Sequence, residues 1–360
     1  MFTSLKHGRC TLLAGMGREP VRIAVVGLGY WGPNVVRNLH EIPDAAPEIV
    51  CDLRPEGLAR IARRYPGLDM TSDFSRILAD ERIEAVAICT PVGTHYELAR
   101  TALEAGKHVF VEKPLAGSVP EAEDLVRRAE GSGLVLMPGH TFLYSPPVNL
   151  IRELIASGQL GDIYFISSSR VNLGIHQSDV SIIWDLGPHD FAILLYWLGM
   201  LPERISAVSR SCILPDIADV AFVSLEYPGG TVAHVEMSWL APSKLRRTTI
   251  VGSERMVVYD DTSTEPVRIF DAGVMSREPE TFGEFRLTYR TGSIVTPRVE
   301  ATEPLSLELA DFCQAVRTGS TPRSSVEIGC DVVRMIDAVE ESLKEAVVPP
   351  VALSRASPGS

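Results

Sequence analysis

The chain has 360 residues, 45% of them hydrophobic and 22% charged, with a formal net charge of −12. That length predicts two domains, and the acidic balance argues against a general nucleic-acid surface, which needs a basic stripe. No run of about 18 apolar residues occurs, so nothing reads as a membrane span. The N-terminal MFTSLKHGRCTLLAGMGREP lacks the sustained apolar stretch of a secretory signal.

Residues 1–20 read as a disordered extension, and a functional start at Met16 fits that reading. Val21–Gly27 is then a β-rich run ending in glycine, followed by a helix over Trp31–Glu41. Glu48–Asp52 reads as a strand and Pro55–Tyr65 as a helix, with Pro55 suited to its first turn. Glu84–Cys89 (strand), His95–Ala105 (helix), Lys107–Val111 (strand), a helix near Pro120–Gly131 and Leu134–Pro138 (strand) continue the alternation. Continuous apolar strands separated by helices predict an α/β fold with a parallel, doubly covered sheet over residues 21–142.

The rhythm then changes. After a helix near Val148–Ser157, the region 161–290 shows one clear helix, Pro188–Leu198, among strands at Ala218–Tyr227, Thr231–Leu240, Thr248–Val251 and Met256–Tyr259. Val235, Met237 and Trp239 alternate with His234, Glu236 and Ser238, as in a sheet with one apolar face. Helices near Leu305–Thr318 and Val326–Ala346 close the chain, and 349–360 reads as a loose tail. Residues 143–348 are therefore expected to form a second α/β domain with a largely antiparallel open sheet. The six cysteines include no CxxC pair and the eight histidines no HExxH. Reduced thiols in a cytoplasmic protein, with no metal site, are expected.

Gly27-Leu28-Gly29-Tyr30-Trp31-Gly32 is a GxGxxG at a strand-to-helix junction. Gly27 would make the tight turn, Gly29 would admit a pyrophosphate to the backbone and Gly32 would let helix and strand pack, with phosphates at the helix N-terminus. Asp52 ends the next strand, about 20 residues on, where an acid bonds ribose hydroxyls. This context predicts a Rossmann domain binding NAD, with NADP disfavoured by the carboxylate, although Arg54 could reach a 2′-phosphate. Thr90 and Pro91, beyond the following strand, would form a second cofactor wall. His95 is either part of that wall or an ordinary early-helix residue. Glu112-Lys113-Pro114 opens onto the same crevice, where a lysine ammonium would favour a developing alkoxide. From the residues alone, Lys113 could equally be a solvated lysine paired with Glu112.

The GxGxxG start, Thr90-Pro91…His95, Glu112-Lys113-Pro114 and Trp184-Asp185-Leu186-Gly187-Pro188-His189-Asp190 together resemble the Gfo/Idh/MocA oxidoreductases. The similarity runs in matching order over about residues 21–345. It implies a Rossmann domain plus an α/β domain whose open sheet mediates dimers or tetramers. It also implies an active site of Lys113, Asp185 and His189, with Tyr30, Trp31 and Glu112 beside the cofactor. The residue chemistry agrees: Asp185 and His189, four apart, share a helix face if that helix starts early enough, and histidine can accept a hydroxyl proton near neutrality. Alternatively, Asp185 would cap a helix whose first turn holds Pro188.

Two features depart from the family pattern. Leu143 stands where many members carry an arginine, in Gly139–Pro146, and Ser178-Asp179-Val180-Ser181 replaces a glycine-rich run. Tyr144, Arg170 and Asn172 are candidate substrate contacts, each equally readable as a surface residue. Lys244, Arg246 and Arg247 form a basic cluster that could bind a nucleotide diphosphate or be a solvated loop. GYWGPN and these departures look closest to the nucleotide-sugar 3-dehydrogenase and ketoreductase branch. The expected reaction is at C3 of a nucleotide-activated hexose such as UDP-N-acetylglucosamine or its uronic acid. A free-sugar or inositol-type polyol dehydrogenase and an NAD-assisted glycoside hydrolase are the alternatives. A non-catalytic dinucleotide sensor is a third, opposed by the presence of Lys113, Asp185 and His189.

Overall fold

The computed structural model describes residues 19–174, 176–177, 180–276 and 287–345. Residues 1–18 of the expected extension, and the tail expected over 349–360, lie outside them, as do Ser178 and Asp179. The first half runs β1 (Val21–Val26), α1 (Gly32–Glu41), β2 (Ala45–Cys51), α2 (Pro55–Arg64), β3 (Asp69–Thr71), α3 (Phe74–Ala79), β4 (Ala85–Ile88), α4 (His95–Glu104), β5 (His108–Glu112), α5 (Val119–Ser132) and β6 (Leu136–Gly139). Its six strands are all parallel, in the order β3-β2-β1-β4-β5-β6. β1, β4 and β5 are apolar on both faces because helices cover both sides of the sheet.

The second half comprises α6 (Pro146–Ala156), β7 (Ile163–Leu173), α7 (Ile182–Leu198), β8 (Arg204–Arg210), β9 (Val220–Glu226), β10 (Val232–Ser238), β11 (Leu240–Gly252), β12 (Met256–Asp260), β13 (Val267–Ser276), β14 (Leu287–Val295), α8 (Pro304–Thr318) and α9 (Val326–Glu345). Eight strands form a mixed sheet, β14-β13-β12-β11-β7-β10-β9-β8. Among the described strands of this sheet only β7 and β10 pair in parallel, so it is largely antiparallel as expected. In β9 and β10, Ala221, Val223, Ala233 and Val235 point into the core while Phe222 and Val232 are exposed on the other face.

Two features differ from the sequence expectation, and a third is how the two halves meet. β3 and α3, of three and six residues, are too short to show a period. α7 starts six residues before Pro188, which therefore lies inside the helix and not in its first turn. The domain division at 142/143 is crossed in space. α8 packs on α1 and β1, and α9 packs on α5 and β6 as well as on α7. Phe312 of α8 meets Phe110 of β5 edge to face, with ring centroids 5.9 Å apart. The first sheet is thus completed by helices from the far end of the chain.

Tyr144 sits in this seam. Its ring is buried, its hydroxyl donates to Asp311 Oδ2 at 2.7 Å, and it accepts from the Ser324 N–H at 3.0 Å. It faces the seam between the two halves and not the crevice, which removes the reason for regarding it as a substrate contact. Tyr144→Phe leaves the buried Ser324 N–H without its acceptor, so we expect a loss of about 1–3 kcal/mol in urea unfolding. Unchanged stability would show that the seam does not depend on this hydroxyl.

Candidate active site

The phosphate loop is built by close contacts that only glycine permits. Gly27 has φ +91°, and a Cβ there would lie 2.7 Å from the Cys89 carbonyl oxygen. A Cβ on Gly32 would run into the Gly27 carbonyl oxygen, so helix and strand could not close. Gly29 instead faces open space, its nearest neighbour being Arg54 at 3.8 Å. That space, beside the uncapped N-terminus of α1, fits a pyrophosphate. Tyr30 and Trp31 are exposed beside it. A cavity of about 490 Å³ lined by Gly29, Tyr30, Arg54, Gly57 and Arg60 continues from the loop and suits the adenosine half of a dinucleotide.

Asp52 lies beside Gly57, one of the residues lining that cavity, and is largely turned inward. Its Oδ2 accepts the Leu28 N–H at 2.6 Å, and Oδ1 accepts the Arg54 N–H at 2.8 Å and Nε at 3.2 Å. Burial works to raise its pKa, yet the Arg54 and Leu28 bonds outweigh it and hold the carboxyl below the usual range. Arg54 remains largely exposed over the same corner.

Across the crevice, the Thr90-Pro91 turn and the Glu112-Lys113-Pro114 turn are braced by His95. The imidazole is buried, with Nδ1 2.8 Å from the Pro114 carbonyl and Nε2 2.8 Å from the Thr90 carbonyl. Burial lowers its pKa. The structure thus places His95 behind the cofactor wall, as the residue that holds its two turns together. The Lys113–Pro114 peptide is cis. Glu112 is buried beneath the crevice, and burial pushes its pKa up to about 7.

α7 brings the remaining groups to Lys113. Because it starts at Ile182, Asp185 lies in the first turn and His189 one turn on, sharing a face. Pro188 has no N–H, so the Trp184 carbonyl lacks a helical partner, and the next carbonyl, of Asp185, accepts Lys113 Nζ at 2.8 Å. Asp185 Oδ1 lies 3.5 Å from the same ammonium, and Oδ2 accepts Trp239 Nε1 at 3.1 Å. Asp185 is therefore oriented from both domains, and Ser181, not Asp185, is the N-cap residue. The His189 ring meets Phe142 edge-on at 5.1 Å. Nδ1 is buried without a partner. Burial first, then the charges of Lys113, Arg170, Arg246 and His140, hold its pKa well below the usual histidine value. At neutral pH this imidazole is an uncharged base beside a fixed ammonium.

The other candidates separate. Arg170 is buried, with Nε donating to Asp190 Oδ2 at 2.5 Å and its guanidinium 4.6 Å from the Phe142 ring centroid. It lies under the site, so a direct substrate contact is not its position. Asn172 is half-buried near Gly174 and Trp239, on the Asp185 side of the crevice. The basic cluster is not one surface. Arg246 pairs with Arg170 in the β11–β7 register, bonds Asp261 at 3.1 Å and lies over Phe142, while Lys244 and Arg247 are exposed. Phe142, His140 and Trp239 are site residues that the sequence reading missed. A signal existed for two of them, since Phe142 and His140 directly follow the last strand of the first sheet, where ligands of such sheets bind. Among the described residues no group of three or more His, Cys, Asp or Glu side chains could hold a metal ion. Nor, among those residues, is any helix long and apolar enough to cross a membrane.

Sequence comparison agrees with this geometry. The profile described as "Oxidoreductase family, NAD-binding Rossmann fold" matches residues 21–140, and the GFO/IDH/MocA C-terminal domain matches residues 148–258. The chain belongs to the Gfo/Idh/MocA oxidoreductase family. Its relatives include the UDP-N-acetylglucosamine 3-dehydrogenase of Acidithiobacillus ferrooxidans, 29% identical over 67% of this chain and 74% of that one. They also include the NAD-dependent scyllo-inositol 2-dehydrogenase of Bacillus subtilis, 28% identical over 84% and 88%. A solved structure of the Acidithiobacillus enzyme superposes with a TM-score of 0.75, covering 90% of this chain and 97% of that one at 24% identity, which establishes the common fold. The chain is a dehydrogenase-type enzyme of this family, and its first domain is the family's NAD-binding Rossmann fold.

Proposed function

We propose that this enzyme oxidises a ring secondary alcohol of a nucleotide-activated hexose, most simply at C3, or reduces the corresponding ketone. The observation that carries the reading is the convergence of Lys113, Asp185 and neutral His189 at the mouth of the dinucleotide crevice. His189 Nε2 takes the hydroxyl proton, Lys113 Nζ stabilises the oxygen as charge develops on it, and Asp185 fixes the ammonium. NAD, when bound, supplies the hydride acceptor. Gly27, Gly29 and Gly32 with the α1 N-terminus would hold its phosphates, Asp52 its adenosine ribose, and Thr90, Pro91, Glu112 and Lys113 its nicotinamide half.

The substrate class is supported by the Acidithiobacillus relative and by Arg246, a cation beside Phe142 suited to an anionic substrate group. Asn172 is a candidate for a sugar hydroxyl. NAD is the proposed cofactor in preference to NADP because the Asp52 carboxylate repels a 2′-phosphate. Assembly through the open sheet face as a homodimer or homotetramer is supported by exposed Phe165, Val208, Phe222 and Val232. The buried thiols of Cys51, Cys89, Cys313 and Cys330 fit a reducing, cytoplasmic setting.

The test is NADH formation from UDP-N-acetylglucosamine or its uronic acid, run beside myo-inositol and free glucose. Turnover of a nucleotide sugar, with kcat/KM at least about tenfold higher with NAD than with NADP, is expected. Turnover of only the free sugar or polyol would overturn the substrate assignment. Bound NAD with glycoside cleavage but no net NADH would overturn the reaction type.

A further inference from the structure

A second cavity, of about 800 Å³, lies outside the group of catalytic side chains. It is walled by the first turn of α7, the end of β8 with the β8–β9 turn, the last turns of α9, and Val92 and Gly117 of the first domain. Val92 follows Pro91, and Gly117 follows Pro114 by three residues, so the cavity borders the two turns that His95 braces. None of Lys113, Asp185 and His189 lines it. A single step along α7 divides the two spaces. Trp184 lines the cavity, whereas Asp185, about 100° further round the helix, holds Lys113.

These walls are tied to one another. Trp184 is half-buried and packs against both hydrophobic cores. The Ile182 N–H donates to the Ala218 carbonyl at 2.8 Å, which joins α7 to the β8–β9 turn. Asp219, fully buried, gathers that turn by accepting the Cys212 and Ile213 N–H groups, each at 2.9 Å. α9 is joined through Ser181, whose hydroxyl donates to Glu340 Oε1 at 3.2 Å. A space framed by bonded elements is a preformed pocket, and this volume suits a small molecule.

The lining has a definite chemistry. Ser181, Ser209 and Ser211 bring hydroxyls that both donate and accept, and Asp216 and Glu340 bring acceptors. Such a set matches ring hydroxyls, each of which donates and accepts, while the C–H face of a saturated ring packs on an aromatic such as Trp184. A phosphate would need cations. The α7 N-terminus and Lys344 are positive, but two carboxylates oppose them, and no arginine is among the described residues that line the cavity. We propose that this cavity is a second binding site, for a polyhydroxylated ring, neutral or bearing an amine. It is separate from the place of oxidation and does not depend on which alcohol Lys113 and His189 act on. A ring held there bears on Trp184, and so on the helical turn that carries Asp185.

Isothermal titration calorimetry tests the site, with myo-inositol, glucose and glucosamine as probes, in the absence of cofactor and with saturating NADH, which prevents oxidation of the probe. At least one probe should bind with a Kd of about 0.1–10 mM, unchanged by NADH. Ser209→Val should weaken it by about fivefold and Glu340→Ala by about tenfold. Both variants should keep wild-type NADH affinity, which also reports that they are folded. Lys113→Met, which alters the crevice and not the cavity, should bind the probe as the wild type does. Failure of all three probes to bind saturably, or binding that survives both Ser209→Val and Glu340→Ala, would overturn the site. Loss of binding in Lys113→Met, or displacement by NADH, would put the ring in the crevice and overturn it equally. Tighter binding of glucose 6-phosphate than of glucose would overturn the ligand class.

Discussion

Replacing His189 by alanine is expected to lower kcat for sugar oxidation by about 10²–10⁴, the range for a directly acting general base. Lys113→Met should cost about 10²–10³, comparable to removing one preorganised donor from a developing oxyanion. His189→Ala should leave NAD affinity, read by quenching of tryptophan fluorescence, within a few-fold of wild type, because His189 is not among the residues that would hold the dinucleotide. The expected pH dependence has a definite sign. The pKa of His189 is depressed, so the neutral base persists as pH falls through the ordinary histidine range. Oxidation should therefore stay on its plateau through about pH 6.5 and decline only well below it. Activity within tenfold of wild type in His189→Ala, or an acid limb at or above pH 6.5, would remove His189 from the role of base.

The ordering of the site explains why these two residues act together. Lys113 sits at the end of a strand in one domain, and Asp185 sits in the first turn of a helix in the other. The ammonium is held by a backbone carbonyl and a carboxylate from α7, and that carboxylate is held in turn by Trp239 of the second sheet. A proline inside a helix costs about 3 kcal/mol or more in an ordinary setting. Pro188 is placed where the altered backbone bonding coincides with the Lys113 contact.

Much of this architecture was legible in the sequence, for identifiable physical reasons. Strands buried on both faces must be continuously apolar, so β1, β4 and β5 could be read without a partner sequence. Gly27 and Gly32 were legible because their crowding admits no other residue. The order of the second sheet was not legible. β7 lies between β10 and β11, which follow it by some 60 residues or more, and such pairing leaves no local trace. The start of α7 was misread because Pro188 resembles a first-turn proline, whereas Ser181, the actual N-cap residue, makes no side-chain capping bond. Glu308, fully buried on α8 where it accepts the Thr141 hydroxyl, left a trace that only the fold makes meaningful. It occupies the same helix face as Leu305, Leu309 and Phe312, a carboxylate on an apolar stripe.

The largest stability effect is expected at Asp190. This residue follows His189, is 3% exposed, and accepts both Arg170 Nε at 2.5 Å and the Ser168 hydroxyl at 2.7 Å. Arg170 is similarly buried, has a second guanidinium nitrogen without a partner, and lies over the Phe142 ring that flanks His189. Asp190→Ala would leave that guanidinium buried and uncompensated, and we expect a loss of about 3–5 kcal/mol in urea unfolding. Asp190→Asn, which keeps an acceptor but not the charge, should fall between that variant and wild type. Replacing the pair together, Arg170→Met with Asp190→Leu, should recover most of the stability, since a buried ion pair costs nearly as much desolvation as it returns. The double variant should nevertheless have a lower kcat, because Phe142 and the His189 turn lose the fixed group beneath them. A single Asp190→Ala variant destabilised by less than about 1 kcal/mol would show that water reaches Arg170 and that the ion pair does not anchor the base.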